Sequence, residues 1–185
     1  MMKTKNNYGL RHTRIDRCYH EAGHVVLGLL LGVEIGSASV KKSGERGGRV
    51  VFKHAQYGTL LTYGVLEPSR AAMISLAGYV AQAAFRDRKF EYCWLKSGQW
   101  SFVDLPDVLD AIECYRDSPI WPSLLRACEK AAERLVARNW KAVEAVALLL
   151  YRKSYVRGAE LTRVVMPLLK DEPIAQSDCD EMGST

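Results

Sequence analysis

Several features are scarce or missing in this chain of 185 residues, and each absence excludes a class of protein. No apolar run is long: the longest, Val25 to Val33, falls far short of the about 20 residues that a membrane-spanning helix needs. The opening residues, MMKTKNNYGLRHTR, lack the apolar centre of a signal peptide. The cysteines number five, an odd count, and no C-x-x-C pair occurs. Free thiols of that kind suit a reducing compartment better than a disulfide framework, and a cytoplasmic protein is the expectation. No G-x-x-x-x-G-K-[ST] phosphate loop is present, so a nucleotide-driven motor of that type is not encoded. No recognised nucleic-acid module appears either, and nucleic acid is not expected among the partners.

What is present is apolar content of 48%, enough for the core of one domain. Net charge is +5, spread along the chain except for the basic start. Residues 1–13 are expected to form a flexible basic arm, and 171–185, DEPIAQSDCDEMGST, a disordered acidic tail. The domain is then 14–170.

Within it, helical spacing begins near Arg14 and carries Ile15, Cys18, Tyr19, Ala22, Val25, Val26, Leu29 and Leu30. Thr13 and Asp16 have the spacing of a capping box, and Gly32 is a natural stop. GSASVKKS and GRVVFKH, joined through GERGG, predict a β-hairpin. Residues 54–68 predict a loop. Ser69 is placed to cap a second helix, RAAMISLAGYVAQAAFRDR, whose Ala77, Gly78 and Ala81 allow close packing. DLPDVLDAIECYR predicts a third helix, with Pro106 in its first turn. Helices over about 123–138 and 140–153 follow, then a last helix in RGAELTRVVMPLLK. The fold class expected is mainly α, in the α+β sense, with a small hairpin after the first helix.

The first helix contains HEAGH. Residues four apart lie on one helix face, so His20 and His24 can each give a ring nitrogen to one zinc ion. Glu21 is turned by about 100° from that face and suits a different task, taking a proton from zinc-bound water as general base. The competing reading is a core helix with two ordinary histidines. A chance H-E-x-x-H occurs in a chain of this length only about once in a few hundred sequences.

A catalytic zinc needs a third protein ligand and an open position. Leu30 stands where one peptidase class carries a histidine, and no Asn-Glu pair marks the thermolysin type. His12 and His54 read as surface histidines. Asp104 begins the predicted third helix and Asp107 follows one turn later. An aspartate at a helix start also serves as an ordinary cap, so position alone leaves the ligand open. Tyr19 and Trp100 could border a cleft or simply pack in the core.

The chain resembles the peptidase domain of the FtsH-type AAA metalloproteases, through several segments in order. YHEAGHVVLGLLLG is similar to their zinc helix, and SASVKKSGERGGRVVF to the strand and turn after it. SLAGYVAQAAF resembles the small-residue helix GGRxAE, and SGQWSFVDLPDVLDAI the segment TGASNDLxxAT that supplies the third ligand. NWKAVEAVALLLYRKSYVRGAELTRVV is similar to the final helices, so the resemblance covers about residues 14–166. It implies a helical zinc-metallopeptidase fold with His20, His24 and Asp104 as zinc ligands, Asp107 in reserve, and Glu21 as the base. Gln82 departs from the pattern, where the family has a glutamate. The ATPase and the transmembrane part of the family are absent, so a stand-alone relative is implied.

The function expected is zinc-dependent hydrolysis of peptide bonds in unfolded or flexible polypeptide, delivered by a separate ATPase or adaptor where unfolding is required. Two alternatives stand beside it: a metal-containing binding or regulatory protein that does not cut, and a repressor-cleaving regulator of the ImmA/IrrE type. The oligomeric state is open.

Overall fold

The computed structural model describes residues 13–41, 47–53, 68–87, 119 and 121–170. Helix α1 spans Arg14–Leu30. Its start is set by the capping box: the Thr13 hydroxyl accepts from the Asp16 amide at 3.3 Å, and the Asp16 carboxylate accepts from the Thr13 amide at 2.7 Å. Its end is set by Gly32, which turns the chain with φ 81°, a conformation that L side chains rarely adopt.

The hairpin forms as expected. β1, Ile35–Val40, pairs antiparallel with β2, Gly48–Phe52, with Ala38 opposite Val50 and an irregularity between Ile35 and Ser37. A third strand corrects the sequence reading. β3, Tyr155–Arg157, pairs antiparallel with the other edge of β1, giving the order β2-β1-β3. Three residues are too few to show an alternating pattern, so the pairing with β1 makes this segment a strand. Gly158 follows it, packed so tightly that a Cβ there would run into the Ile35 carbonyl.

Helix α2 spans Pro68–Phe85, starting slightly earlier than expected. Ser69 therefore lies in its first turn rather than at the cap. Buried side chains surround this helix, among them Ala72, Ile74, Leu76, Ala77, Val80 and Ala81. Such all-round burial fits its position between α1 and α3, Trp121–Arg138. Helix α4 is Trp140–Lys153. Asn139, at the junction of α3 and α4, is 1% exposed. Its side-chain amide donates to the Leu135 carbonyl at 2.9 Å and its oxygen accepts from the Lys170 amide at 2.9 Å. The buried junction is thus fully tied down.

Helix α5, Gly158–Val165, is shorter than the expected last helix and gives way to a 3₁₀ turn at Met166–Leu168. Pro167 has no N–H to continue the α-helical ladder, which explains the change. The architecture is mainly helical with one small antiparallel sheet. α1 runs through the middle, flanked by α2 and α4, with the hairpin beside it. None of the described helices is long and apolar enough to cross a membrane. Of the expected arm 1–13 only Thr13 is described, as the cap of α1, and of the expected loop 54–68 only Pro68, which begins α2; the third helix and the acidic tail lie outside the described residues.

Candidate metal centre

His20, Glu21 and His24 all lie on α1, where it meets α2 and the hairpin. The orientation of His24 is settled by one contact. Its Nδ1 lies 2.7 Å from the carbonyl oxygen of Ile74 on α2, and the ring is buried. A carbonyl only accepts, so Nδ1 carries the proton and Nε2 presents its lone pair. That lone pair faces His20: the two Nε2 atoms are 3.1 Å apart, with the rings nearly perpendicular at 83°. Zinc–nitrogen bonds of about 2.0–2.1 Å would join two such nitrogens at an angle of about 100°, close to tetrahedral. The pair therefore fits one divalent ion.

Glycine makes this approach possible. A Cβ on Gly78 would stand 2.7 Å from Cε1 of His24 and 2.8 Å from Cε1 of His20, closer than real contacts allow. One turn along, a Cβ on Gly23 would collide with the Ala77 carbonyl and lie 2.9 Å from the Ala81 Cβ. The small residues of α2 thus bring its backbone against the zinc-helix candidate, as their clustering in the sequence suggested.

Glu21 points elsewhere, as its position on the helix demands. Its side chain is buried against the first residue of β2, where a Cβ on Gly48 would stand 2.7 Å from the carboxyl carbon. Gly48, Val50 and Phe52 share one face of β2, and Phe52 also packs on Gly28 of α1. The strand therefore lies along the side of α1 that carries Glu21. Gln82 is buried on α2, one turn beyond Gly78.

Among the described residues, no third histidine, cysteine, aspartate or glutamate joins the pair in a metal-holding group. Asp104 and the reserve Asp107 lie outside the described residues, as do His12, His54 and Trp100. Of the two aromatic residues that could border a cleft or pack in the core, Tyr19 is in the core. It is 5% exposed and stacked between Phe85 at 4.0 Å and Trp140 at 5.4 Å. Cys18, next to it, is a buried free thiol, and burial pushes it up to about 11, which leaves it unreactive.

One pair escaped the sequence reading. Arg86, the residue after the end of α2, grips Asp16 on α1 through two parallel bonds, Nε to Oδ1 at 2.8 Å and Nη2 to Oδ2 at 2.7 Å. Burial alone would raise the Asp16 carboxyl, but the bonds from Arg86 and Thr13 outweigh it and hold it at about 2. The two residues are seventy positions apart, and only the capping role of Asp16 is readable locally.

No protein-family model matches the chain, and no curated protein matches it. The functional reading therefore rests on the residues and geometry of this site and on the resemblance of sequence segments given above.

Proposed function

We propose that the chain is a zinc metalloendopeptidase with the FtsH-type peptidase fold, acting on unfolded or flexible polypeptide. The observation that carries this reading is the paired Nε2 atoms of His20 and His24, 3.1 Å apart, with the His24 proton held on the far side of the ring by a backbone carbonyl. A metal-ligating imidazole needs that arrangement, since the second nitrogen must be fixed by an acceptor. His20 and His24 would hold the ion, with Asp104 as the third ligand that the family resemblance implies. Zinc, when bound, supplies Lewis acidity that polarises a carbonyl and lowers the pKa of a water to about 7.

The protein's own groups do the rest. Glu21 accepts a proton from the attacking water at its carboxylate and returns it to the leaving amine. Packing against Gly48 restricts where that carboxylate can go. β2 is the end strand of the described sheet, and its outer edge offers backbone groups on which an extended substrate could align. These 185 residues hold no phosphate loop, so unfolding of a folded substrate would fall to an ATPase or adaptor outside them, in a cytoplasmic setting.

A non-cleaving metal-containing binder is the second reading, favoured by Gln82 where the family has a glutamate. Digestion of unfolded casein by wild type and Glu21→Gln, with zinc content measured in both, separates the two. The peptidase reading expects cleavage to fall about 10²-fold or more in Glu21→Gln with zinc retained. Zinc-loaded wild type that cuts neither casein nor a peptide library would favour the binder. Cleavage confined to a single repressor would favour the ImmA/IrrE-type reading.

A further inference from the structure

The two candidate ligands are held in unlike ways. His24 is buried and its ring direction is fixed by the Ile74 carbonyl at 2.7 Å. His20 is only half-buried, and rotation of its ring would carry Nε2 away from its partner. Tyr79 stands in the way of that rotation. Its ring meets the His20 ring edge to face, centroids 4.8 Å apart at 85°. This spacing lies within the favourable range for aromatic pairs of that kind. Tyr79 is the residue after Gly78, whose lack of a side chain admits both imidazoles. One stretch of α2, from Ile74 to Tyr79, therefore contributes the carbonyl for His24, the clearance for both rings and the wall for His20.

We propose that Tyr79 is a positioning residue for the metal centre: its ring holds His20 with Nε2 turned toward His24. The role belongs to the ring face or edge and not to the hydroxyl. This inference rests on the metal-site reading above, and the experiment tells the two apart.

The test uses the full chain as wild type, Tyr79→Phe, Tyr79→Leu and Tyr79→Met. Zinc affinity is measured by competition with a chelating dye, and the visible absorption of the cobalt(II)-substituted protein reports ligand geometry. Melting of the metal-free protein serves as the folding control. Tyr79 is half-buried, so leucine and methionine should both preserve the fold. The expected result is wild-type affinity and cobalt spectrum in Tyr79→Phe. Tyr79→Leu and Tyr79→Met should bind zinc about 10-fold more weakly, with an altered spectrum. Wild-type affinity and spectrum in the leucine and methionine variants would overturn the proposal. So would equal weakening in Tyr79→Phe, because the hydroxyl would then be the active part. Wild type that binds no zinc would overturn the metal-site reading itself, a distinguishable outcome.

Discussion

α1 and α2 run antiparallel, and two polar contacts with opposite outcomes lie along α1 where the α2 segment packs on it. At one, Asp16 and Arg86 complete each other: two short bonds, opposite charges, and a Thr13 hydroxyl and amide on the remaining lone pairs. At the other, two imidazoles face each other through Nε2. With the His24 proton on Nδ1, that 3.1 Å contact requires either a proton on His20 Nε2 or a shared cation. The first contact is finished by opposite charges within the chain, whereas the second is closed either by that proton or, in the reading proposed above, by a metal ion.

The sharpest way to break this comparison is at Gly78. Gly78→Val would place two methyl groups against both imidazoles, and overpacking of this kind costs about 3 kcal/mol. The urea midpoint is expected to fall accordingly, with zinc binding lost at the same time. A variant that folds and binds zinc like wild type would contradict the close approach of the two helices.

Next in size is the effect of the metal. Zinc at a hundredfold its dissociation constant should stabilise wild type by about 2.7 kcal/mol, since the unfolded chain lacks the site. Thermal melting with zinc and with a chelator measures this. The increment should vanish in His24→Ala, while Asp16→Asn should keep it. Its loss in Asp16→Asn would show that the clamp and the ligand pair are one unit.

The clamp makes a slightly smaller prediction, in pH. The Asp16 carboxyl falls from 3.8 to about 2 on folding, so the folded state favours the ionised form. That stability is complete above about pH 4 and is lost as pH falls toward 2, amounting to about 2 kcal/mol. Asp16→Asn should lower the urea midpoint at pH 7 and flatten its fall between pH 4 and 2. An equally steep fall in the variant would assign the acid sensitivity to other carboxylates.

Local signals on the sequence were reliable where the chain itself closes the contact. Thr13, Asp16 and Gly32 mark both ends of α1, and turn residues between β-branched runs mark the hairpin. Helices α3 and α4 followed from their periodicity to within two residues at each end. What could not be read depends on partners distant in sequence. β3 exists because β1 has a second edge, and Arg86 reaches Asp16 only through the antiparallel register of two helices. The site divides in the same way. The pairing of His20 and His24 is a matter of four-residue spacing, but the Ile74 carbonyl is a backbone group that no residue type announces. Tyr79 likewise reads as one aromatic residue on an apolar helix until the register puts it against His20.

The smallest effect is expected on the far side of α1. Tyr19 stacks on Phe85 and Trp140, and burial, and then the charge of Glu144, raise its phenol above the usual value. Tyr19→Leu keeps the apolar character and removes the stacking, which costs about 1 kcal/mol. Although Tyr19 adjoins His20 in sequence, the two are about 100° apart around the helix and belong to different neighbours. Zinc affinity in Tyr19→Leu should therefore match wild type while the urea midpoint drops slightly. Weaker zinc binding there would mean that the stack sets the rotation of α1, and the ligand pair would then be held by α4 as much as by α2.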